Sequence, residues 1–71
     1  MEYNEIVSKK LRELRESHKL RQEDIAKIIN VQRNTYNQYE NNKRRIDIDN
    51  LGLLADYYKI SLDKLTGRVN Y

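Results

Sequence analysis

The stretch Gln22-Glu23-Asp24-Ile25-Ala26-Lys27-Ile28-Ile29-Asn30-Val31-Gln32-Arg33-Asn34-Thr35-Tyr36-Asn37-Gln38-Tyr39-Glu40 decides the fold. Its first part sets Ile25, Ile28 and Ile29 on one stripe at helical spacing, with small Ala26 beside it. Asn30 follows, and Asn can take the left-handed conformation that closes a helix. Tyr36 and Tyr39 then recur three residues apart, which predicts another helix with both rings turned inward. Ala26 would let the two helices cross closely, and Val31 would plug the space between them. Two short helices joined by a tight turn form a helix-turn-helix unit.

Working outward, the apolar spacing stays helical. Val7, Leu11 and Leu14, with Ile6 alongside, predict a helix over 3–18. Leu51, Leu54, Ala55 and Tyr58 predict one over 49–58, and Ile60, Leu62 and Leu65 accompany a last one over 61–66. The central pair spans 22–29 and 33–41. Positive charge at His18 and Lys19 suits a helix C-terminus. Asn41-Asn42 can close the third helix, as Asn30 closes the second. Asp49 or Asn50 is expected to cap the fourth helix and Ser61 the fifth, with Thr66-Gly67 ending it. Ile46-Asp47-Ile48-Asp49 alternates, but four residues between Arg45 and Asn50 read as a connecting loop. The expected architecture is a compact all-α domain of five short helices over 1–67, with 68–71 as a short C-terminal tail.

Composition narrows the function classes. With no Cys, disulfides, thiolate catalysis and cysteine zinc sites are excluded. The single histidine, His18, lies near a helix end and reads as a surface side chain. No nucleophile-base pair or phosphate loop is visible, so an enzyme is not expected, nor a cofactor, metal or small-molecule ligand. The longest apolar run, residues 51–55, falls far short of the about 20 residues a membrane span needs. The start lacks the pattern of a signal peptide, so the cytoplasm is the expected compartment.

Charge is unevenly spread. The whole chain carries +3, residues 1–20 carry +1 and residues 46–71 carry −1, so residues 21–45 hold the excess. Within 30–45 the only acid is Glu40, among Arg33, Lys43, Arg44, Arg45 and many Asn and Gln. A polar helix or a basic loop is often merely solvated. Here both lie side by side on a helix-turn-helix scaffold. With Tyr36 and Tyr39 inward, the third helix presents Gln32, Arg33, Asn34, Thr35, Asn37 and Gln38. Arg can grip guanine O6 and N7, and Asn or Gln can pair with adenine N6 and N7.

These segments carry a resemblance. Gln22 to Val31, then Thr35-Tyr36-Asn37-Gln38-Tyr39-Glu40-Asn41-Asn42-Lys43-Arg44, resemble the Cro/CI-type (XRE family) helix-turn-helix domain, which is lambda-repressor-like. Leu11-Arg12-Glu13-Leu14-Arg15 is similar to the family's first helix. Leu51 to Ala55 and Tyr58 to Leu65 are similar to its last two. A single such motif gives many false positives, but five matched segments in order are specific. The family pattern is broken at several places. Arg21 stands where Ser or Thr usually caps the second helix, and Asn30 and Asn42 replace glycines. Gln32 replaces a Ser or Thr cap, and Arg45 stands where Pro is common.

The resemblance implies a transcriptional regulator that binds an operator in double-stranded DNA as a homodimer and acts as a repressor of prokaryotic or phage type. Gln32, Arg33, Asn34, Thr35, Asn37 and Gln38 would read bases. Arg21, Gln22, Asn41, Lys43, Arg44 and Arg45 would hold phosphates. Arg15 would pair with Glu40 and set the angle between helices one and three. Leu62, Leu65, Val69 and Tyr71 would extend a dimer surface, unless they complete the core instead. A protein-interaction module, such as an antitoxin or anti-repressor target, and the control protein of a restriction system stay open as alternatives.

Overall fold

The computed structural model describes residues 3–68. Five helices follow in order: α1 (Tyr3–Ser17), α2 (Gln22–Ile28), α3 (Arg33–Glu40), α4 (Ile48–Tyr58) and α5 (Leu62–Leu65). α1 packs on α3 and α5, α2 on α3, and α4 on α5. The stripes predicted from spacing form one core. Leu11, Ile25, Tyr36, Leu54 and Leu65 are fully buried at its centre, with Val7, Ala26, Ile29, Tyr39, Leu51, Ala55 and Tyr58 around them. No helix of the described residues is long and apolar enough to cross a membrane.

All five helices end in the same way. A residue with positive φ closes each: Lys19, Asn30, Asn42, Lys59 and Gly67. The next residue's N–H then bonds back five positions: Leu20 to Arg15, Val31 to Ala26, Lys43 to Gln38, Ile60 to Ala55 and Arg68 to Asp63. This is the Schellman geometry. It explains why Leu20, Val31 and Ile60, each just past a left-handed residue, turn back onto the core. The sequence marks Asn30, Asn42 and Gly67 for this role. It gives no hint at Lys19 and Lys59, whose side chains favour the right-handed region. Tertiary packing holds them there against that preference. Lys59→Gly is therefore expected to raise stability by about 0.5–1 kcal/mol, read as a higher denaturation midpoint.

Gly67 has a second reason to be glycine. A Cβ there would stand 2.8 Å from Ile6 Cγ2 on α1. Gly52 is the reverse case. It lies inside α4, and a Cβ there meets nothing within 4 Å. Gly52→Ala should add about 0.5–1 kcal/mol by lowering unfolded-state entropy, and thermal melting checks it.

One helix start differs from expectation. Asp47, not Asp49 or Asn50, caps α4: its carboxylate accepts from Asn50 N at 3.1 Å and Asn50 Nδ2 at 2.8 Å. The presumed loop 46–49 is thus a cap and the first residues of a helix. Ile46 and Leu51 occupy the flanking positions of a hydrophobic staple and line one shallow recess together. At α2, Arg21 gives no side-chain cap, but its backbone N–H donates to Asp24 Oδ2 at 2.9 Å. That bond, ahead of the Arg21 charge, holds the Asp24 carboxyl below its usual range. Half of a capping box therefore survives without Ser or Thr. Ser61 does cap α5, its hydroxyl accepting from Lys64 N at 3.1 Å.

Leu65 corrects the expected dimer surface. It is fully buried in the protomer core, because α5 packs against both α1 and α4. Leu62 stays 39% exposed, whereas Val69 and Tyr71 lie outside the described residues.

Candidate nucleic-acid interface

α3 is pinned from its inner face. Tyr36 is fully buried and Tyr39 is 6% exposed, and the two rings meet edge to face at 6.3 Å. Buried Ala26 on α2 lets α3 approach, and Val31 fills the turn with its N–H on Ala26 O at 2.9 Å. The apolar residues of the two helices thus fix which face of α3 is left to solvent.

The C-terminal end of α3 is held by charge. Glu40 is buried at 5% exposure among basic and amide donors. Arg15 grips it with two bonds, Nε to Oε2 at 2.7 Å and Nη2 to Oε1 at 3.1 Å. Arg15 Nη1 also donates to the Leu20 carbonyl at 2.9 Å. Gln22 Nε2 reaches Glu40 Oε1 at 3.2 Å, and Arg12 Nε lies 3.6 Å from the same oxygen. Burial disfavours the Glu40 carboxylate, but hydrogen bonding, Arg15 foremost, outweighs it and holds the carboxyl below its usual range. The same pairing raises Arg15 above its ordinary value. Burial, with the Glu40 carboxylate next, pushes the Tyr36 hydroxyl well up. One acid thereby ties α1, α2 and α3 together.

The outward face has two tiers. Gln32, Arg33 and Asn34 are exposed, while Thr35, Asn37 and Gln38 are half-buried. Gln22, Gln32, Arg33, Asn34 and Asn37 line one open concavity of about 460 Å³ where α2 and α3 begin. Thr35 and Gln38 do not line it. Arg33 makes no ion pair with any described residue, so its fork is available to a ligand.

The expected phosphate contacts divide by what their side chains already do. Lys43, Arg44 and Arg45 are exposed in the segment between α3 and α4. Arg21 is 75% exposed and leans on Glu23 at 3.1 Å and Asp24 at 3.6 Å, pairs of a kind that water weakens. Gln22 and Asn41 are more committed. Gln22 Nε2 donates to Asn37 Oδ1 at 3.0 Å as well as to Glu40. Asn41 Nδ2 donates to Asn37 O and Oδ1, both at 2.9 Å, and its Oδ1 accepts from Arg12 Nη2 at 2.8 Å. Neither amide has a hydrogen to spare.

Arg12 was not singled out from the sequence. A signal existed: it stands one helical turn before Arg15 and therefore on the same face of α1. Asn4 was also passed over, yet its Nδ2 donates to Asn42 Oδ1 and ties the start of α1 to the turn after α3.

Comparison with known proteins agrees with this architecture. A family model described as helix-turn-helix (HTH_3) matches residues 11–65. A relative from Bacillus subtilis strain 168, described as an uncharacterized HTH-type transcriptional regulator, YobD, is 36% identical over 58 residues, which are 82% of this chain and 52% of the relative. A crystal structure of a transcriptional regulator from Listeria innocua superposes with a TM-score of 0.85 at 34% identity. That match covers 92% of this chain and 61% of the other. The chain thus spans about half the length of the curated relative and three-fifths of the solved one. By its ordered helices, its pinned third helix and the matched family model, the chain belongs to the XRE-type helix-turn-helix family.

Proposed function

We propose that this chain is a sequence-specific double-stranded DNA-binding transcriptional regulator of bacterial type, with α3 in the major groove. The observation that carries the reading is the α2–α3 concavity. It gathers Arg33, which makes no ion pair with any described residue, with Asn34, Gln32 and Asn37 on a helix whose opposite face is buried. Arg33 and Asn34 supply the main base contacts, and Gln32, Thr35, Asn37 and Gln38 add to them or reach nearby phosphates. Arg21, Lys43, Arg44 and Arg45 supply backbone charge. Gln22 and Asn41 act chiefly by holding the α3 side chains, since their donors are spent inside the protein.

The mode of action is repression by occupancy: a protein bound over a promoter excludes polymerase. One α3 reads only a few base pairs, so two copies on a near-palindromic operator, with half-sites about 34 Å apart, supply the needed specificity. Leu62 stays open for a contact between copies, as do Leu53 and Tyr57 on α4, at 49% and 43% exposure.

Selection of bound duplexes from a random pool tests the proposal. The expected product is a two-fold symmetric consensus whose affinity falls steeply with salt, as phosphate contacts require. A pool that stays random after repeated rounds would sink the DNA reading. Sedimentation of a single protomer on the selected duplex would sink the homodimer.

A further inference from the structure

The carboxamide of Asn37 is the least free polar group on the reading face. Its Oδ1 accepts two hydrogen bonds, from Gln22 Nε2 at 3.0 Å and Asn41 Nδ2 at 2.9 Å. Two bonds fill the lone pairs of an amide oxygen. Its Nδ2 has no partner among the described residues and is left to the concavity that Asn37 lines. Asn41 is oriented in turn by Arg12, whose Nη2 donates to Asn41 Oδ1 at 2.8 Å. An arginine has no acceptor, so it can face only the oxygen of Asn41. That leaves the Asn41 NH₂ for Asn37, where it serves both the backbone carbonyl and Oδ1, and together with Gln22, held by Glu40, it keeps the Asn37 oxygen inward.

We infer that Arg12, on α1 and outside the reading helix, is a positioning residue for base discrimination: through Asn41 it closes the lone pair of Asn37 Oδ1 that Gln22 leaves open, so that Asn37 is a hydrogen-bond donor with no acceptor to offer. The inference rests on the DNA reading proposed above. Bidentate recognition of adenine needs both an accepting oxygen and a donating nitrogen. With its oxygen occupied, Asn37 instead selects a base that presents an acceptor, such as guanine O6 or N7 or thymine O4, and disfavours cytosine, whose major-groove group is a donor. Arg12 is 46% exposed at its side chain, so its removal should not unfold the domain.

The test is duplex selection and binding titration with Arg12→Met and, independently, Asn41→Ala. Both variants should bind the wild-type consensus about tenfold less tightly, the scale of one charge-assisted hydrogen bond. Both should relax base preference at the same position in each half-site, with an unchanged salt slope. In the DNA-free protein, the Asn37 side-chain amide resonance should shift. Lys43→Ala provides the contrast: uniform weakening with a salt slope lower by about one. If Arg12→Met behaves like Lys43→Ala, Arg12 merely touches phosphate and the inference is overturned. It is equally overturned if both variants select the wild-type consensus, or if the Asn37 amide signal does not move. Arg33→Ala with Asn34→Ala separates the two levels. Undiminished, still selective binding by that double variant removes the start of α3 as the reader and with it the reading this inference rests on, whereas its loss beside an unaltered Arg12→Met consensus defeats only this inference.

Discussion

Glu40→Gln is expected to lower the melting temperature by about 10–20 °C. Glutamine keeps the shape of the side chain but places an NH₂ where Arg15 needs an acceptor. One Arg15 bond then becomes a donor facing a donor, and the half-buried guanidinium loses its counter-charge. Breaking one side of a buried pair costs about 3–5 kcal/mol, and the isosteric amide recovers part of that. In a domain of this size each kcal/mol shifts melting by about 4–8 °C. The effect depends on pH in a defined direction. The Glu40 carboxyl is held below its ordinary value of 4.5 in the folded state. Its stabilisation is therefore complete above that value and is lost as pH falls through the lower folded value. The gap between wild type and Glu40→Gln should be widest near neutrality and close in acid. Melting curves from pH 7 down to pH 3 check this, and a gap that stays constant across that range counts against the Glu40 charge as its source. Replacing the pair together, Arg15→Met with Glu40→Leu, should cost less than the two single changes summed, because neither partner is then left buried alone. Some cost will remain, since Arg15 also satisfies the Leu20 carbonyl.

The double variant Arg33→Ala with Asn34→Ala is expected to behave oppositely, with melting nearly unchanged and sequence-specific DNA affinity lost. Both side chains are exposed, and neither bonds to another described residue. Their removal leaves the core, the caps and the Glu40 cluster intact. Each base contact is worth about 1–3 kcal/mol, so the pair accounts for at least about 30-fold per half-site. The salt slope should persist, because the exposed cations Lys43, Arg44 and Arg45, proposed to face phosphates, remain. The variant should therefore bind operator and random duplex with similar weak affinity. Titration of both duplexes at two salt concentrations reads this directly. Retained discrimination would move the reading surface away from the start of α3.

Local pattern carried much of this protein. The inward placement of Tyr36 and Tyr39 follows from their spacing and from the small Ala26 opposite, and both are buried. Asn30 and Asn42 adopt the left-handed conformation that their short polar side chains tolerate. Other features were hidden because they depend on competition between neighbours. Asp47, Asp49 and Asn50 can all cap a helix by type, and Ile46 on its flank decided for Asp47 by finding the recess that Leu51 shares. Lys19 and Lys59 look like ordinary helix-end cations, yet they are left-handed because Leu20 and Ile60 must return to the core.

What the sequence determined by itself is therefore what a short window can encode: five helices, their inward faces, the polar third helix and the basic segment beside it. The tertiary structure alone decided which way shared groups point. Leu65 has the same apolar pattern whether it faces its own core or another protomer, and only the packing of α5 against α1 and α4 makes it core. The carboxamides of Gln22, Asn37 and Asn41 are alike in sequence, each a donor and an acceptor. Their orientation follows from Arg12 and Arg15 on α1 and Glu40 on α3, two helices far apart in the chain. A hydrogen-bond direction belongs to a set of partners, and folding is what brings that set together.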